Sequence, residues 1–218
     1  MMSGNEKKWE EYNEDLQEES GGVLIAKNKD SKESLVFSFS HAFFKDYHLN
    51  EYLNTSCKRM LQLGASTGRF LSDFKKEGWE VMGYDCSVIA AQALERKEIT
   101  SRQYDLNQLD QSGKLSYEND LVNDIAKPVN ILLIRILQYL QCPVLNLLLI
   151  TLIERAAPGS VFFIAGNVYD DEIQHSSKKI TPMTPQYVAS FFTKCPNVIV
   201  ALNQRVYKND ELLVARKI

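Results

Sequence analysis

The sequence has little of what marks a protein's class at a glance. Cysteine is scarce: Cys57, Cys86, Cys142 and Cys195 stand far apart, with no C-x-x-C pair among them. That spacing argues against a structural zinc site or a disulfide framework and leaves no metal expected; reduced thiols in a cytoplasmic protein are the simple expectation. Net charge is also small, −3 over 218 residues, so no basic field points to nucleic acid. No apolar run is clean enough to span a membrane. In "NILLIRILQYLQCPVLNLLLITLI" the polar residues Arg135, Gln138, Gln141 and Asn146, with Pro143, interrupt the stretch, which reads as a buried strand followed by a buried helix. The opening "MMSGNEKKWEEYNEDL" lacks the apolar centre of a secretory signal. Internal repeats and low-complexity tracts are missing as well.

The acid that is present sits unevenly. Residues 1–20 carry seven carboxylates against Lys7 and Lys8, a local −5 that leaves about +2 elsewhere. Such a run is expected to be a solvated arm. Residues 1–57 are expected to form a helical arm or cap, with "SHAFFKDYHLNEYL" packed over one end of a core spanning 58–218. There Phe43, Phe44, Tyr47 and Tyr52 are candidates for a lid wall or for plain core, and His41 and His48 for packing or surface roles.

From Lys58 a regular alternation sets in. "RMLQL" reads as a strand, and "TGRFLSDFKKEG" as a helix with Phe70, Leu71 and Phe74 on one face and Gly78 as its C-terminal cap. "WEVMGYD" is a second strand, followed by the helix "SVIAAQALERK" capped by Ser87. "ITSRQYDL" is a third strand, and "PVNILLI", apolar almost throughout, a fourth that is buried on both faces. The helix "PVLNLLLITLIERAA" stops at Pro158-Gly159, before the strand "SVFFIAG". The helix "TPQYVASFFTK" has Thr184 as N-cap and Pro185 at its first position. "NVIVALNQRVYK" and "ELLVARK" close the chain as a hairpin turning at Asn209-Asp210. The fold expected is α/β: a Rossmann-like, doubly wound, mostly parallel sheet of seven strands with a C-terminal antiparallel hairpin and helices on both faces. Such sheets bind ligands outside the carboxyl ends of their strands.

"MLQLGASTGRFLSDF" therefore holds the central question. Gly64-Ala65-Ser66-Thr67-Gly68 fits G-x-S-x-G, the elbow that presents a nucleophilic serine. Against that reading, His175 is the only downstream histidine, the motif opens the sheet rather than following several strands, and no glycine-rich oxyanion segment precedes it. A dinucleotide fingerprint fails because Ser66 and Arg69 stand where glycines belong, and a phosphate-binding P-loop fails because no G-K-[ST] follows. What remains is a loop of small residues after the first strand. An acid, Asp85, ends the second strand and suits ribose hydroxyls.

These features together resemble the class I S-adenosylmethionine-dependent methyltransferases, over residues 55–218. The family's loop, acid-x-G-x-G-x-G, is matched by Gln62-Leu63-Gly64-Ala65-Ser66-Thr67-Gly68, its second-strand acid by Asp85 in "MGYDCS", and its third-strand acid by Asp105 in "YDL". The resemblance implies that the loop (Gln62, Gly64, Ala65, Ser66, Gly68) contacts the methionine moiety of S-adenosylmethionine. Asp85 with Cys86 would take the ribose, and Asp105 with Leu106 the adenine. "Arg135-Ile-Leu-Gln-Tyr-Leu" resembles the segment beneath the methionine portion, where Arg135 would hold a carboxylate or cap a helix. Two positions depart from the pattern. Gln62 replaces the acid that meets the cofactor's ammonium, and Ser66 replaces the middle glycine, a change that suits a backbone without positive φ.

The resemblance implies methyl transfer by in-line displacement, leaving S-adenosylhomocysteine as product. Few residues lie beyond the core, so a small-molecule acceptor is expected, with no nucleic acid and no membrane as partner. "NVYDDEIQHSSKKITPM", residues 167–183, is the expected lid, where His175 is the candidate base and Tyr169 a second candidate. A catalytically silent binding protein on the same scaffold is the alternative, and a serine hydrolase using Ser66 a remoter one.

Overall fold

The structure is a computed structural model that describes residues 16–18, 24–26, 44, 48–167, 185–207 and 210–218. In the stretch expected to form the arm, β1 (Leu16–Glu18) and β2 (Leu24–Ala26) pair antiparallel, and Leu49–Tyr52 make a 3₁₀ turn. Seven further strands follow: β3 (Arg59–Leu63), β4 (Glu80–Asp85), β5 (Thr100–Gln103), β6 (Asn130–Ile134), β7 (Val161–Asn167), β8 (Val198–Tyr207) and β9 (Asp210–Lys217). They form one sheet in the order β5-β4-β3-β6-β7-β9-β8. The helices are α1 (Arg69–Lys76), α2 (Val88–Arg96), α3 (Glu118–Ile125), α4 (Cys142–Arg155) and α5 (Pro185–Thr193). This is the Rossmann-like, mixed seven-stranded sheet expected from the alternation.

The chain divides into two compact units, residues 1–51 with 65–105, and residues 52–64 with 106–218. In the first, β4 and β5 pair parallel, and Phe70, Leu71 and Phe74 of α1 are buried as the sequence indicates. Phe44 is core rather than lid: its ring meets Phe70 and Phe74 edge-on, centroids 5.9 and 5.4 Å apart. Gly78 ends α1 in the left-handed region. Its N–H bonds Lys75 O, that of Trp79 bonds Phe74 O, and the Trp79 and Phe74 rings stack edge-to-face, a complete Schellman stop. The Ser87 hydroxyl accepts from Ala90 N at 3.1 Å, as expected of the cap of α2.

In the second unit β3 pairs parallel with β6, and β6 with β7. All five residues of β6 are buried, and α4 follows it, so the long apolar run is strand then helix. Among the described residues no helix is long and apolar enough to cross a membrane. The closing hairpin forms, with the reversed strand β9 inside the sheet, antiparallel to β7 on one side and to β8 on the other. Burial explains the order. Leu212, Leu213, Val214 and Ala215 are all buried, as an inner strand requires, whereas Ile199 and Ala201 of the edge strand β8 are exposed. Lys217 ends β9 almost fully buried, its ammonium donating at 2.6 Å to Ile153 O in the last turn of α4, where the helix dipole favours positive charge.

Two expectations shift. Helix α3 was not foreseen: it is eight residues long, its only apolar residues are Leu121, Val122 and Ile125, and Tyr117 at its N-cap makes no side-chain cap. Strand β5 ends at Gln103, so Asp105 lies in the loop beyond it rather than closing the strand. All four cysteines are free thiols. Thr184, Asn209 and the expected lid beyond Asn167, with Tyr169 and His175, lie outside the described residues.

Candidate functional site

The sequence expectations converge on the turn from β3 into α1. On the β3 side, Gln62 is 6% exposed although it is a polar residue in a strand. Its Oε1 has no hydrogen-bond partner, a costly arrangement for an acceptor shut away from water. Gly64 ends this half of the turn at φ +73°. A methyl group there would stand 2.7 Å from Ile136 Cδ1, so both conformation and space require glycine.

The α1 side of the turn is fixed by β4. Ala65 N donates to Tyr84 O at 2.9 Å. Ser66 N donates to Asp85 Oδ2 at 2.8 Å, and Ser87 N donates to Asp85 Oδ1 at 3.0 Å. Each carboxylate oxygen thus accepts from a backbone N–H, one at either end of the carboxylate. Lys97, at the end of α2, donates from Nζ to Thr67 O at 2.8 Å. Gly83 of β4 leaves room for the turn: a methyl there would lie 2.7 Å from the Ala65 side chain. Gly68, at φ +69°, does the same for Leu94.

Ser66 itself sits at φ +46°, against the expectation that a serine here would avoid positive φ. The left-handed conformation costs an L-residue roughly 1–2 kcal/mol. The bond to Asp85 offsets it, being a charge-assisted contact of about 1.5–3 kcal/mol.

A second strained residue follows β6. Arg135 lies at φ +52°, its N–H bonded to Ala165 O at 2.6 Å. The chain then makes a 3₁₀ turn over Leu137–Tyr139. Asn107 latches that turn from both ends, Nδ2 donating to Tyr139 O at 3.1 Å and Oδ1 accepting from Gln141 N at 2.7 Å. Strained residues at strand ends persist where the surroundings hold them, and they cluster at functional sites.

The remaining expected residues are placed less tellingly. Leu106 is buried, and its carbonyl accepts from Tyr117 Oη at 3.0 Å. Cys86 is half-buried, with Gln103 Nε2 3.5 Å from its carbonyl. Asp105 is half-buried in the loop after β5. Lys97 lies outside every motif of the sequence, and Gln138, although within the segment Arg135–Leu140, carries no signal of its own. The first looked like one more lysine after a helix, and the second like an interruption in an apolar run.

No family model matches the sequence, and no curated protein matches it. Solved structures do match. A SAM-dependent methyltransferase from Archaeoglobus fulgidus superposes with a TM-score of 0.59 at 13% identity, over 81% of this chain and 92% of that one. Magnesium protoporphyrin IX methyltransferase from Synechocystis PCC 6803, crystallised with SAH, gives 0.58 at 12% identity, over 87% and 90% of the two chains. A glycopeptide N-methyltransferase complexed with S-adenosyl-L-methionine gives 0.54 at 12% identity, over 89% and 100%. At such identities the likeness is one of fold, and it is the fold that the sequence resemblance implied: the chain is built on the class I S-adenosylmethionine-dependent methyltransferase fold.

Proposed function

We propose that the chain is an S-adenosylmethionine-dependent methyltransferase acting on a small-molecule acceptor. The observation that carries this reading is the unpaired, buried Gln62 Oε1 beside Gly64, an acceptor suited to the ammonium of the cofactor's methionine. Gln62 would hold that ammonium through a neutral dipole where an acid would add charge, at a cost of about 1–2 kcal/mol of binding. The backbone of Gly64, Ala65, Ser66 and Gly68 would line the methionine tail, Asp85 and Cys86 the ribose, and Asp105 and Leu106 the adenine. A carboxylate at the carboxyl end of β4, beside a loop of small residues, suits ribose hydroxyls. Arg135 would face the cofactor's carboxylate. When bound, the cofactor supplies a methyl on a positively charged sulfur, so no enzyme nucleophile is needed.

On this reading the chain's own residues align the acceptor for in-line displacement and exclude water. His175, with Tyr169 near it in sequence, would serve as a base where the acceptor is a hydroxyl or acidic carbon, contributing roughly 10²–10⁴-fold. Ser66 has a different part on this reading: its N–H donates to Asp85 and its backbone shapes the turn. A cytoplasmic location accords with the free thiols. The neutral Gln62 favours one alternative, a protein that binds the cofactor without transferring its methyl. Calorimetry with S-adenosylhomocysteine tests the reading: micromolar binding is expected, lost at least about tenfold in Asp85→Ala. Absence of heat would contradict it, and binding without methyl transfer to any of a panel of small acceptors would favour the silent protein.

A further inference from the structure

Among the described residues, Gln138 is the most deeply buried uncharged polar side chain near the carboxyl ends of β6 and β7, 2% exposed, and its Oε1 has no hydrogen-bond partner. An amide in an apolar setting ordinarily finds a donor. Beside this oxygen lies Gly166 of β7. A methyl group added there would meet Gln138 Oε1 at 3.5 Å and, among the described residues, no other atom within 4 Å. Gly166 has no positive φ either, so neither conformation nor crowding demands glycine. The missing side chain leaves space next to an acceptor that lacks a donor.

The turn that presents Gln138 is rigidly made. Strained Arg135 is bonded to Ala165 O, the 3₁₀ turn over Leu137–Tyr139 follows, and Asn107 clamps the far end. Such fixing is what a side chain needs to hold a ligand group in one geometry. We propose that Gln138 is a ligand-binding residue, whose Oε1 accepts a hydrogen bond from a neutral N–H or O–H donor on the methyl acceptor, in the space that Gly166 leaves open. The proposal deepens the methyltransferase reading and rests on it. It assigns the acceptor to the amines, amides, phenols and alcohols and excludes fully substituted acceptors that carry no donor.

The test uses the full chain saturated with S-adenosylhomocysteine, with phenol and its donor-free counterpart anisole as probes, followed by side-chain amide NMR. Wild type is expected to bind phenol about tenfold more tightly than anisole, the discrimination expected of one well-made hydrogen bond. Gln138→Met, which keeps the volume and removes the acceptor, should abolish that preference, leave S-adenosylhomocysteine affinity within about twofold, and raise the melting temperature, because an orphaned acceptor is gone. Gly166→Ala should weaken phenol binding by filling the space. Equal binding of the two probes, a preference that survives in Gln138→Met, or a lower melting temperature in that variant would each overturn the proposal. Failure of S-adenosylhomocysteine to bind, with the phenol preference intact, would contradict the cofactor reading alone and leave Gln138 as an acceptor of donor groups.

Discussion

The backbone N–H of Ser66 is held by Asp85 Oδ2 at 2.8 Å, and that bond fixes a serine in the left-handed conformation where the related loop pattern has glycine. Asp85 therefore acts before any ligand arrives. Its other oxygen takes Ser87 N, so one carboxylate ties the start of α2 to the turn that begins α1.

Asp85→Asn is expected to lower stability by about 1–3 kcal/mol in urea unfolding, because an amide offers one acceptor oxygen for two N–H groups. S-adenosylhomocysteine affinity should fall as well. A variant as stable as wild type would show that the two contacts carry no weight.

Ser66→Gly is expected to change stability little, or to raise it by up to about 1 kcal/mol, since relief of the left-handed strain is partly offset by the greater freedom of an unfolded glycine. Ser66→Val should lower it well beyond that, because a β-branched residue resists positive φ. Methyl transfer that survives in Ser66→Gly, with no labelling of Ser66 by a fluorophosphonate probe, would dispose of the hydrolase. Labelling at Ser66 would revive it.

Gly64→Ala should destabilise by about 2–4 kcal/mol, combining positive φ with a methyl 2.7 Å from Ile136 Cδ1. Ile136→Val removes the clashing Cδ1, so the double variant should recover part of the loss. A double variant no better than the sum of its parts would place the cost in the backbone alone.

Tyr187 gives a pH dependence. Burial raises its phenol above the ordinary value, with the neighbouring Cys142 thiol as a second cause, while its hydroxyl donates to Asn146 Oδ1 at 2.5 Å. The neutral phenol is thus favoured in the folded state. Stability from this source is full below the unfolded-state value and is lost as pH rises through the folded-state value. Tyrosinate absorbance in wild type minus Tyr187→Phe should show one phenol ionising at higher pH than a free tyrosine, and the variant should lose the matching alkaline sensitivity.

Much of this architecture is legible in the residues because burial writes it there. "NILLI" can only be an inner strand, "RFLSDF" buries one face, and Gly78 stops a helix in the one conformation that side chains avoid. The two closing strands also differ legibly: the run Leu212–Ala215 belongs inside, while β8 mixes exposed and covered positions. The rest depends on tertiary contacts. Helix α3 is too short and too polar to announce itself. Positive φ at Ser66 and Arg135 is imposed by Asp85 and by Ala165 O, partners 19 and 30 residues away, and neither residue type signals it. Gln62 reads as a departure from a pattern, and only its burial without a donor gives it chemical meaning.

The most direct measurement is a crystal structure of the full chain grown with S-adenosylhomocysteine. The nucleoside is expected over the turn at 64–68, its ribose hydroxyls within hydrogen-bond distance of Asp85 and its ammonium on Gln62 Oε1. A ligand bound elsewhere, or bound there with Gln62 Oε1 still lacking a donor, would contradict this expectation.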